Sequence, residues 1–275
     1  VHADLVVSLL PWIHHMQVAE LCLKYRKRMV TTSYVSKEMQ KLDERAKEAG
    51  ILMLNEIGLD PGIDHMSAVK IIHEVHGKGG KIKGFSSYCG ALPAPEANTN
   101  PFGYKFSWSP RGVLLAAKNQ ARYLKDGEEI VVPGNELFEE YSTITMEDLG
   151  EFEAYPNRDS TPYIERYGIS ETETMFRATL RYPGWCETWK KIVELGLLDE
   201  EVRTDLEGLS YRGLVKRLVK SKGDKDVERD LASYLGIEED SEIMQRFRWL
   251  GLLSEEPLPL EKGSHLDILA VRMLE

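Results

Sequence analysis

The chain contains 275 residues, of which 42% are hydrophobic and 29% are charged, a composition that allows one large globular domain or two to three smaller ones. Its formal net charge of −10 argues against a nucleic-acid-binding surface, which requires clustered lysine and arginine. The longest apolar run, residues 5–13, contains a proline and is far shorter than a membrane-spanning helix. No basic segment precedes an apolar one at the N-terminus, as it would in a secretory signal. We therefore expect neither nucleic acid nor a membrane as a partner.

Cysteine and histidine are sparse in this sequence. The three cysteines, Cys22, Cys89 and Cys186, are odd in number and far apart, which indicates a reducing compartment rather than a disulfide framework. No CxxC or HxxxH pair occurs, so we expect no metal site. His14 and His15 are adjacent and would point to different faces of a helix, so the sequence predicts that both lie at the surface.

The first 62 residues alternate between apolar runs and amphipathic segments. Runs rich in Val and Leu are typical of buried parallel strands, and apolar residues at helical spacing separate them. Ser36 is placed to cap the second helix and Gly50 to end it. The predicted elements are strands at residues 3–11, 28–34 and 51–58 and helices at residues 13–27 and 37–49. This order predicts one half of a doubly wound, Rossmann-like parallel sheet in an α/β protein.

The carboxyl ends of the predicted strands, residues 8–11, 31–34 and 56–60, carry small, polar or hydroxyl residues. In open α/β sheets ligands bind beyond the carboxyl ends of the strands, so these segments are candidates for a binding site. The phosphate-cradling glycine turn expected after the first strand of such a domain is missing, and the glycines of residues 77–84 follow a helix with the wrong spacing. We interpret the chain as a fragment that enters a dinucleotide-binding domain halfway.

The remaining sequence predicts two further parts. A helix from about Asp64, its expected N-cap, precedes a strand at residues 81–89. Asp126-Gly127 predicts a hairpin, and after about Trp185 the sequence has the helical periodicity of a helical appendage. The resulting division is a partial dinucleotide-binding domain at residues 1–62, an α/β substrate-binding domain at residues 63–184 and a helical domain at residues 185–275.

Several residues in the predicted loops have ordinary structural explanations when taken singly. Cys89 fits a small buried hydrophobic position, and Asp60, before a proline, fits a turn. Arg158 and Arg181 fit surface ion pairs. The prolines of residues 91–96 are as compatible with a well-packed crossover as with a binding loop.

A series of motifs, taken together, resembles one family. The motifs are "ADLVVSLLP", "TTSYVS", "NEIGLDPGIDHM", "SYCGALPAPE", "GYKFSWSPRGVLL", "AYPNRDSTPY" and "FRATLRY". They are similar to the NADP-dependent, glutamate-forming saccharopine dehydrogenases (saccharopine reductases) and to the corresponding half of bifunctional aminoadipic semialdehyde synthases. The resemblance covers residues 1 to about 200 and fades over the helical tail. It departs at Ala91 and Ala178, where glycine is common, and in lacking the N-terminal glycine motif and the C-terminal strands of the cofactor domain.

The resemblance implies an oxidoreductase of lysine biosynthesis or degradation. Saccharopine, NADP⁺ and water would give L-glutamate and L-2-aminoadipate 6-semialdehyde, or the reverse. Planar guanidinium groups bind carboxylates bidentately, which suits a substrate with three carboxylates. By family position, the substrate would contact Ser33, Asp60, Arg158, Thr179, Leu180 and Arg181. NADP would contact Leu9, Thr31, Thr32, Gly58, Leu59, Asp60 and Trp108. Catalysis would involve Tyr34, Asp60 and Cys89 as polar groups near the reacting carbon, and no general base is assigned among them.

The resemblance also implies a homodimer in the full-length protein. The expected location is the cytoplasm, or the mitochondrial matrix for part of a bifunctional enzyme. For the chain itself we predict weak NADP binding, no turnover, and an exposed sheet edge and apolar face, because half of the cofactor domain is missing. Two alternatives stay open: a related NAD(P)-dependent dehydrogenase of another amino-acid- or polyamine-derived imine, and a non-catalytic binding or dimerisation module.

Overall fold

The structure, a computed structural model, describes residues 3–223 and 226–274. The chain forms two compact units: the first unit is Val1–Ile82 with Glu165–Glu171, and the second unit is Lys83–Ile164 with Thr172–Glu275. Within the described ranges, no helix is long and apolar enough to cross a membrane. The division into three domains at residues 62 and 184 is finer than these two units and stays a prediction.

A three-stranded parallel sheet with strand order β1-β2-β3 forms the centre of the first unit. Leu5 pairs with Arg28, and Met29 pairs with Met53. The strands are β1 (Leu5–Ser8), β2 (Arg28–Thr31) and β3 (Met53–Leu54), and the helices are α1 (His15–Tyr25), α2 (Lys37–Gln40), α3 (Asp43–Ala49) and α4 (Ile63–Gly77). The predicted half of a doubly wound sheet is confirmed, with shorter strands and with the second predicted helix divided into α2 and α3.

Local signals fix the ends of these helices. The Ser36 hydroxyl accepts a hydrogen bond from the Met39 amide at 3.1 Å and caps α2, as predicted. Gly50 ends α3 with a φ of 67°, a left-handed conformation that glycine adopts without strain. The predicted N-cap of α4 is wrong, because the helix begins after Gly62. Asp64 instead lies in the first turn, where its carboxylate accepts from the Gly62 amide at 2.7 Å.

The core of the first unit is small, and β1 lies at the edge of its sheet. Fully or nearly fully buried side chains from α1, β2 and the segment around α2 make up this core: Ala19, Cys22, Met29, Met39 and Leu42. Leu5 and Val7 of β1 are 48% and 58% exposed. The expectation of an exposed edge and apolar face is therefore confirmed for β1.

A six-stranded mixed sheet organises the second unit. Its strand order is β6-β5-β9-β8-β7, and β4 pairs in parallel with β9. The strands are β4 (Gly84–Cys89), β5 (Ala121–Lys125), β6 (Glu128–Val132), β7 (Ser142–Met146), β8 (Gly150–Pro156) and β9 (Thr174–Arg181). β5 and β6 form the hairpin predicted at Asp126-Gly127, where both residues have positive φ.

Helices supply the rest of the second unit. They are α5 (Pro110–Ala116), α6 (Pro162–Arg166), α7 (Trp185–Glu194), α8 (Tyr211–Leu218), α9 (Val227–Leu235), α10 (Glu242–Trp249) and α11 (His265–Arg272). The helices predicted after Trp185 are thus confirmed. Trp185 and Trp189 of α7 pack with Phe247 of α10 in one continuous core. The buried residues of the helical segment belong to the same core as those of α5 and the β5–β6 hairpin.

Candidate active site

One face of β9 carries the polar residues of the second unit. Side chains alternate along a strand, so Arg177, Thr179 and Arg181 point to one side. The register places Cys89 of β4 beside Thr179, and Glu153 of β8 opposite Arg181. The other side is apolar and packs as a cluster of Phe152, Ala154, Ala178 and Leu180. Two neighbouring strands, β4 and β9, thus bring together Cys89, Thr179 and Arg181, three of the predicted site residues.

The Arg181 guanidinium lies buried between two aromatic rings. Its Cζ is 4.7 Å from the ring centre of Tyr104 and 5.0 Å from that of Trp185. The two rings touch edge to face, with centres 5.1 Å apart. Arg181 is only 6% exposed, so these cation–π contacts are largely desolvated. Burial also raises the pKa of Tyr104, which keeps the phenol neutral beside the cation.

Arg181 has few hydrogen-bond partners for a buried cation. Its Nη1 donates to the Leu180 carbonyl at 2.7 Å, while its Nε has no acceptor among the described residues. Glu153, opposite in register, instead accepts from the Gly184 and Cys186 amides at 2.6 and 2.7 Å. No carboxylate in the described ranges forms an ion pair with Arg181. A buried charge is costly unless it is paired, so this guanidinium is suited to an anionic ligand.

Arg158 occupies a different position on the same sheet. It follows β8, is exposed, and has a φ of 55°. The Asn157 amide donates to the Arg177 carbonyl at 2.8 Å, which sets this part of the chain level with Arg177. Arg158 and Arg181 are therefore separated by four to five strand positions, roughly 15 Å. This spacing suits two ends of an extended ligand better than one carboxylate.

The other predicted site residues of the second unit are Cys89, Leu180 and Trp108. Cys89 is partly exposed and is not in a disulfide, so the purely buried interpretation of this residue is wrong. The next residue, Gly90, approaches β9 closely, since a Cβ there would lie 2.7 Å from the Leu180 carbonyl oxygen. The Leu180 side chain packs in the apolar cluster, which leaves only its backbone for the polar face. Trp108 is 51% exposed and is available to a ligand.

In the first unit, the segments after β2 and β3 lie side by side. The Ile57 amide donates to the Thr31 carbonyl and the Glu56 amide to the Ser33 carbonyl, both at 3.1 Å. The Tyr34 hydroxyl donates to the Asp60 carboxylate at 3.0 Å. These bonds place seven of the predicted site residues at the carboxyl edge of the sheet: Thr31, Thr32, Ser33, Tyr34, Gly58, Leu59 and Asp60.

His65 of α4, which was not among the predicted site residues, supports this edge. His65 Nδ1 lies 2.7 Å from the Tyr167 hydroxyl, and its Nε2 lies 3.2 Å from the Glu56 carboxylate. Glu56 in turn accepts from the Val35 amide at 3.1 Å. The network ties the segment that carries Asp60 to α4 and to residues 165–171 of the same unit. No local pattern indicates it, because Tyr167 is about 100 residues away in sequence.

The surface prediction for His15 is wrong, because the structure buries this residue to 5% exposure. Its Nδ1 lies 2.9 Å from the Ser8 hydroxyl at the end of β1. Its Nε2 lies 2.8 Å from the Ser33 hydroxyl and 3.2 Å from that of Thr31. A neutral imidazole has one donor and one acceptor nitrogen, which these hydroxyls can satisfy. Burial, followed by the charge of His14, lowers the pKa of His15 from its ordinary value of 6.5.

This burial predicts a pH dependence of stability. The folded-state pKa of His15 lies below its unfolded value, so the unfolded state binds more protons and folding favours the neutral ring. The contribution is present above pH 6.5 and is lost as the pH falls through the folded-state pKa. We expect the free energy of unfolding to fall more steeply in the parent than in His15→Gln between about pH 7.5 and about pH 5.5. Urea denaturation at both pH values measures this, and equal slopes would contradict it.

The segments after β1 and β3 expose two leucines. Leu9 and Leu59 are 73% and 71% exposed at the strand ends, and apolar side chains beside hydroxyl groups suit a nicotinamide ring and its ribose. The chain after β1 reads Leu-Leu-Pro-Trp and offers no glycine turn for a pyrophosphate. Within the described ranges, no cluster of His, Cys, Asp and Glu could hold a metal ion.

The first unit is an open parallel sheet with hydroxyl groups at its carboxyl edge, and the second unit contains a buried arginine. Two such α/β units in one chain are typical of enzymes that bind a cofactor and a substrate. Comparison of the sequence with protein-family models identifies one enzyme family within this class. The model described as the saccharopine dehydrogenase C-terminal domain matches residues 58–275, and that described as the saccharopine dehydrogenase NADP binding domain matches residues 1–54. The chain belongs to the saccharopine dehydrogenase family.

Individual relatives agree with this assignment. The chain is 45% identical to the saccharopine dehydrogenase [NADP(+), L-glutamate-forming] of Pyricularia oryzae and 41% identical to that of Saccharomyces cerevisiae, in each case over 99% of its length and 62% of theirs. It is 44% identical to the alpha-aminoadipic semialdehyde synthase of Arabidopsis thaliana over 82% of the chain and 22% of that protein. The solved apo structure of the S. cerevisiae enzyme superposes with a TM-score of 0.85 at 40% identity, covering 98% of this chain and 62% of that one.

Proposed function

We propose that this chain carries the substrate-binding part, and the nicotinamide side of the cofactor site, of an NADP-dependent, L-glutamate-forming saccharopine dehydrogenase. The observation that carries the proposal is Arg181, a buried guanidinium without a carboxylate partner among the described residues. A planar, always-charged fork is suited to bidentate recognition of a substrate carboxylate. The chain spans only 62% of its relatives' length, so turnover is proposed for the whole enzyme and not for this chain alone.

The proposed reaction oxidises the secondary amine of saccharopine. A carbon–nitrogen bond loses a hydride and a proton to become an imine, water adds to the imine carbon, and cleavage releases L-glutamate and L-2-aminoadipate 6-semialdehyde. NADP⁺, when bound, accepts the hydride. In this chain Arg181 and Arg158 would bind separate carboxylates, and Thr179 and Ser33 would donate hydrogen bonds to the substrate. For the whole enzyme we also propose saccharopine, glutamate and aminoadipate semialdehyde as small-molecule partners and a homodimeric assembly. Its proposed location is the cytoplasm or the mitochondrial matrix.

The polar groups near the reacting carbon have defined partners. The Tyr34 hydroxyl donates to Asp60, so Asp60 can accept while Tyr34 fixes its orientation. Cys89 lies level with Thr179 on the polar face of the second unit. We propose that it orients substrate or water without forming a covalent bond. Leu9, Thr31, Thr32, Gly58, Leu59 and Trp108 would contact NADP, and Gly58 is packed closely, since a Cβ would lie 3.1 Å from the Pro61 carbonyl oxygen and 3.2 Å from the Thr32 Cβ.

Calorimetry on this chain tests the proposal. Saccharopine should bind, and lysine, which has one carboxylate and no glutarate portion, should bind at least tenfold more weakly, about 1.4 kcal/mol or more. NADP⁺ should bind weakly, because no glycine turn follows β1 to hold the pyrophosphate. Arg158→Ala should weaken saccharopine binding less than a change at Arg181, since Arg158 is exposed. Equal affinity for lysine and saccharopine would contradict the proposal.

A further inference from the structure

We propose that Arg246 of α10 is a positioning residue that holds the aromatic rings flanking Arg181. The inference rests on the proposed function, because it assigns to Arg181 the role of binding a substrate carboxylate. It extends the binding machinery from the sheet to the helical segment. The relevant contacts all lie within the second unit.

The Arg246 side chain is a junction between three parts of the second unit. Its Nε donates to the Pro101 carbonyl at 2.9 Å. Its Nη1 donates to the Gly184 carbonyl at 3.2 Å and to the Thr188 hydroxyl at 3.0 Å. The side chain is only 11% exposed, and its Nη2 reaches Glu242 at 3.3 Å. One guanidinium thus joins α10 to the loop at Pro101 and to the start of α7.

Both segments that Arg246 contacts adjoin a residue whose ring packs on Arg181. Pro101 belongs to a turn organised by Asn100, whose side-chain carbonyl accepts from the Phe102 amide at 3.0 Å and whose amide donates to the Tyr104 carbonyl at 2.7 Å. Gly184 immediately precedes Trp185 and is the N-cap of α7. Arg246 therefore holds, one step away, the two residues whose rings enclose the Arg181 guanidinium.

The geometry requires arginine at position 246. Three acceptors in different directions match the planar fork of a guanidinium, whereas the ammonium of lysine is a single point of charge on a flexible stem. Gly184 complements this fork, since a Cβ at that position would lie 2.5 Å from Nη2 and 2.8 Å from Nη1 of Arg246. Gly184 also has a φ of 84°, which disfavours any side chain.

Loss of this junction leaves the Pro101 and Gly184 carbonyls without their Arg246 donor. Pro101 is exposed and Gly184 is partly exposed, so the Pro101 carbonyl can turn toward water. The Gly184 carbonyl keeps the Thr188 amide and hydroxyl as donors but is no longer tied to α10. The turn at Asn100 and the start of α7 are then free to shift, and the rings of Tyr104 and Trp185 with them. We expect saccharopine affinity to fall about tenfold, the scale on which residues along a packed network modulate a site.

Two variants disturb the junction from opposite sides. Arg246→Met removes the donors, and Gly184→Ala displaces the guanidinium with the Arg246 side chain intact. Arg248→Met is the matched control, because Arg248 lies on the same helix, is 40% exposed and pairs with Glu228 away from this junction. Arg246→Lys keeps the charge without the fork. Calorimetry with saccharopine and amide hydrogen exchange over residues 100–104 are measured for each variant and the parent.

Weakened saccharopine binding together with faster exchange over residues 100–104 in Arg246→Met and Gly184→Ala, but not in Arg248→Met, would support the inference. Parent-like affinity in either folded variant would overturn it. If the parent itself fails to bind saccharopine, the proposed function fails. Hydrogen exchange, which needs no ligand, then still decides whether Arg246 holds the turn. Should Arg246→Met not fold, Gly184→Ala and Arg246→Lys decide by the same two measurements.

Discussion

Replacing Arg181 with methionine is expected to remove saccharopine binding from the second unit, with a loss of about 2–5 kcal/mol in binding free energy. The guanidinium is buried between Tyr104 and Trp185 and has no ion-pair partner among the described residues, so its charge is available to a ligand carboxylate. The free energy of unfolding should change little or rise, because an apolar side chain replaces a buried unpaired charge. Calorimetry and urea denaturation measure the two quantities.

A comparison with Arg217→Met separates this effect from a general loss of charge. Arg217 is 49% exposed and pairs with Asp205 at 3.0 Å on the helical segment. Its loss should leave the affinity for saccharopine unchanged within error. Arg181→Lys should fall between parent and methionine variant, because it retains the charge but not the bidentate fork. If Arg181→Met binds saccharopine as the parent does, Arg181 is not a carboxylate ligand.

The second large effect is expected for stability. Trp189→Ala should lower the free energy of unfolding of the second unit by about 3–5 kcal/mol, because the change leaves a cavity in a close-packed core. Trp189 is fully buried, stacks on Trp185 with ring centres 4.9 Å apart and lies 6.1 Å from Phe138. Urea denaturation followed by far-UV circular dichroism gives the difference.

The matched control for this change is Trp249→Ala. Trp249 lies at the end of α10 and is 55% exposed, so its removal should cost about 1 kcal/mol or less. A similar loss for both tryptophans would show that the variants do not report the packing of the core. If Trp189→Ala lowers the free energy of unfolding by less than Trp249→Ala does, Trp189 does not lie at the centre of the core.

Local chemistry made much of the fold predictable. Ser36, Gly50 and the Asp126-Gly127 pair each act within four residues of their own position, through a side-chain cap, a left-handed glycine or a tight turn. The apolar periodicity likewise predicted the helices after Trp185. In the site, the alternation of strands and helices indicated the segments after β2 and β3 as binding-site candidates, and the structure places them side by side.

What the sequence did not reveal depends on distant partners. His15 looks like a surface residue beside His14, and only the folded sheet surrounds it with hydroxyls from β1 and β2. Arg246 has an ordinary amphipathic context, and its acceptor at Pro101 lies 145 residues away. The position of Arg177 on the same strand face as Arg181 was predictable from the sequence, because the two residues alternate at strand spacing in "FRATLRY".

The position of β9 in the sheet has a consequence for folding order. β9 pairs with β4, β5 and β8, all of which precede it in the chain. Joining β4 to β9 closes a loop of about 90 residues, whose entropy cost no local contact offsets. During synthesis, β4 therefore cannot pair along its full length until β9, which ends at residue 181, has left the ribosome. Cys89 therefore reaches its place beside Thr179 and Arg181 only after β9 has been synthesised.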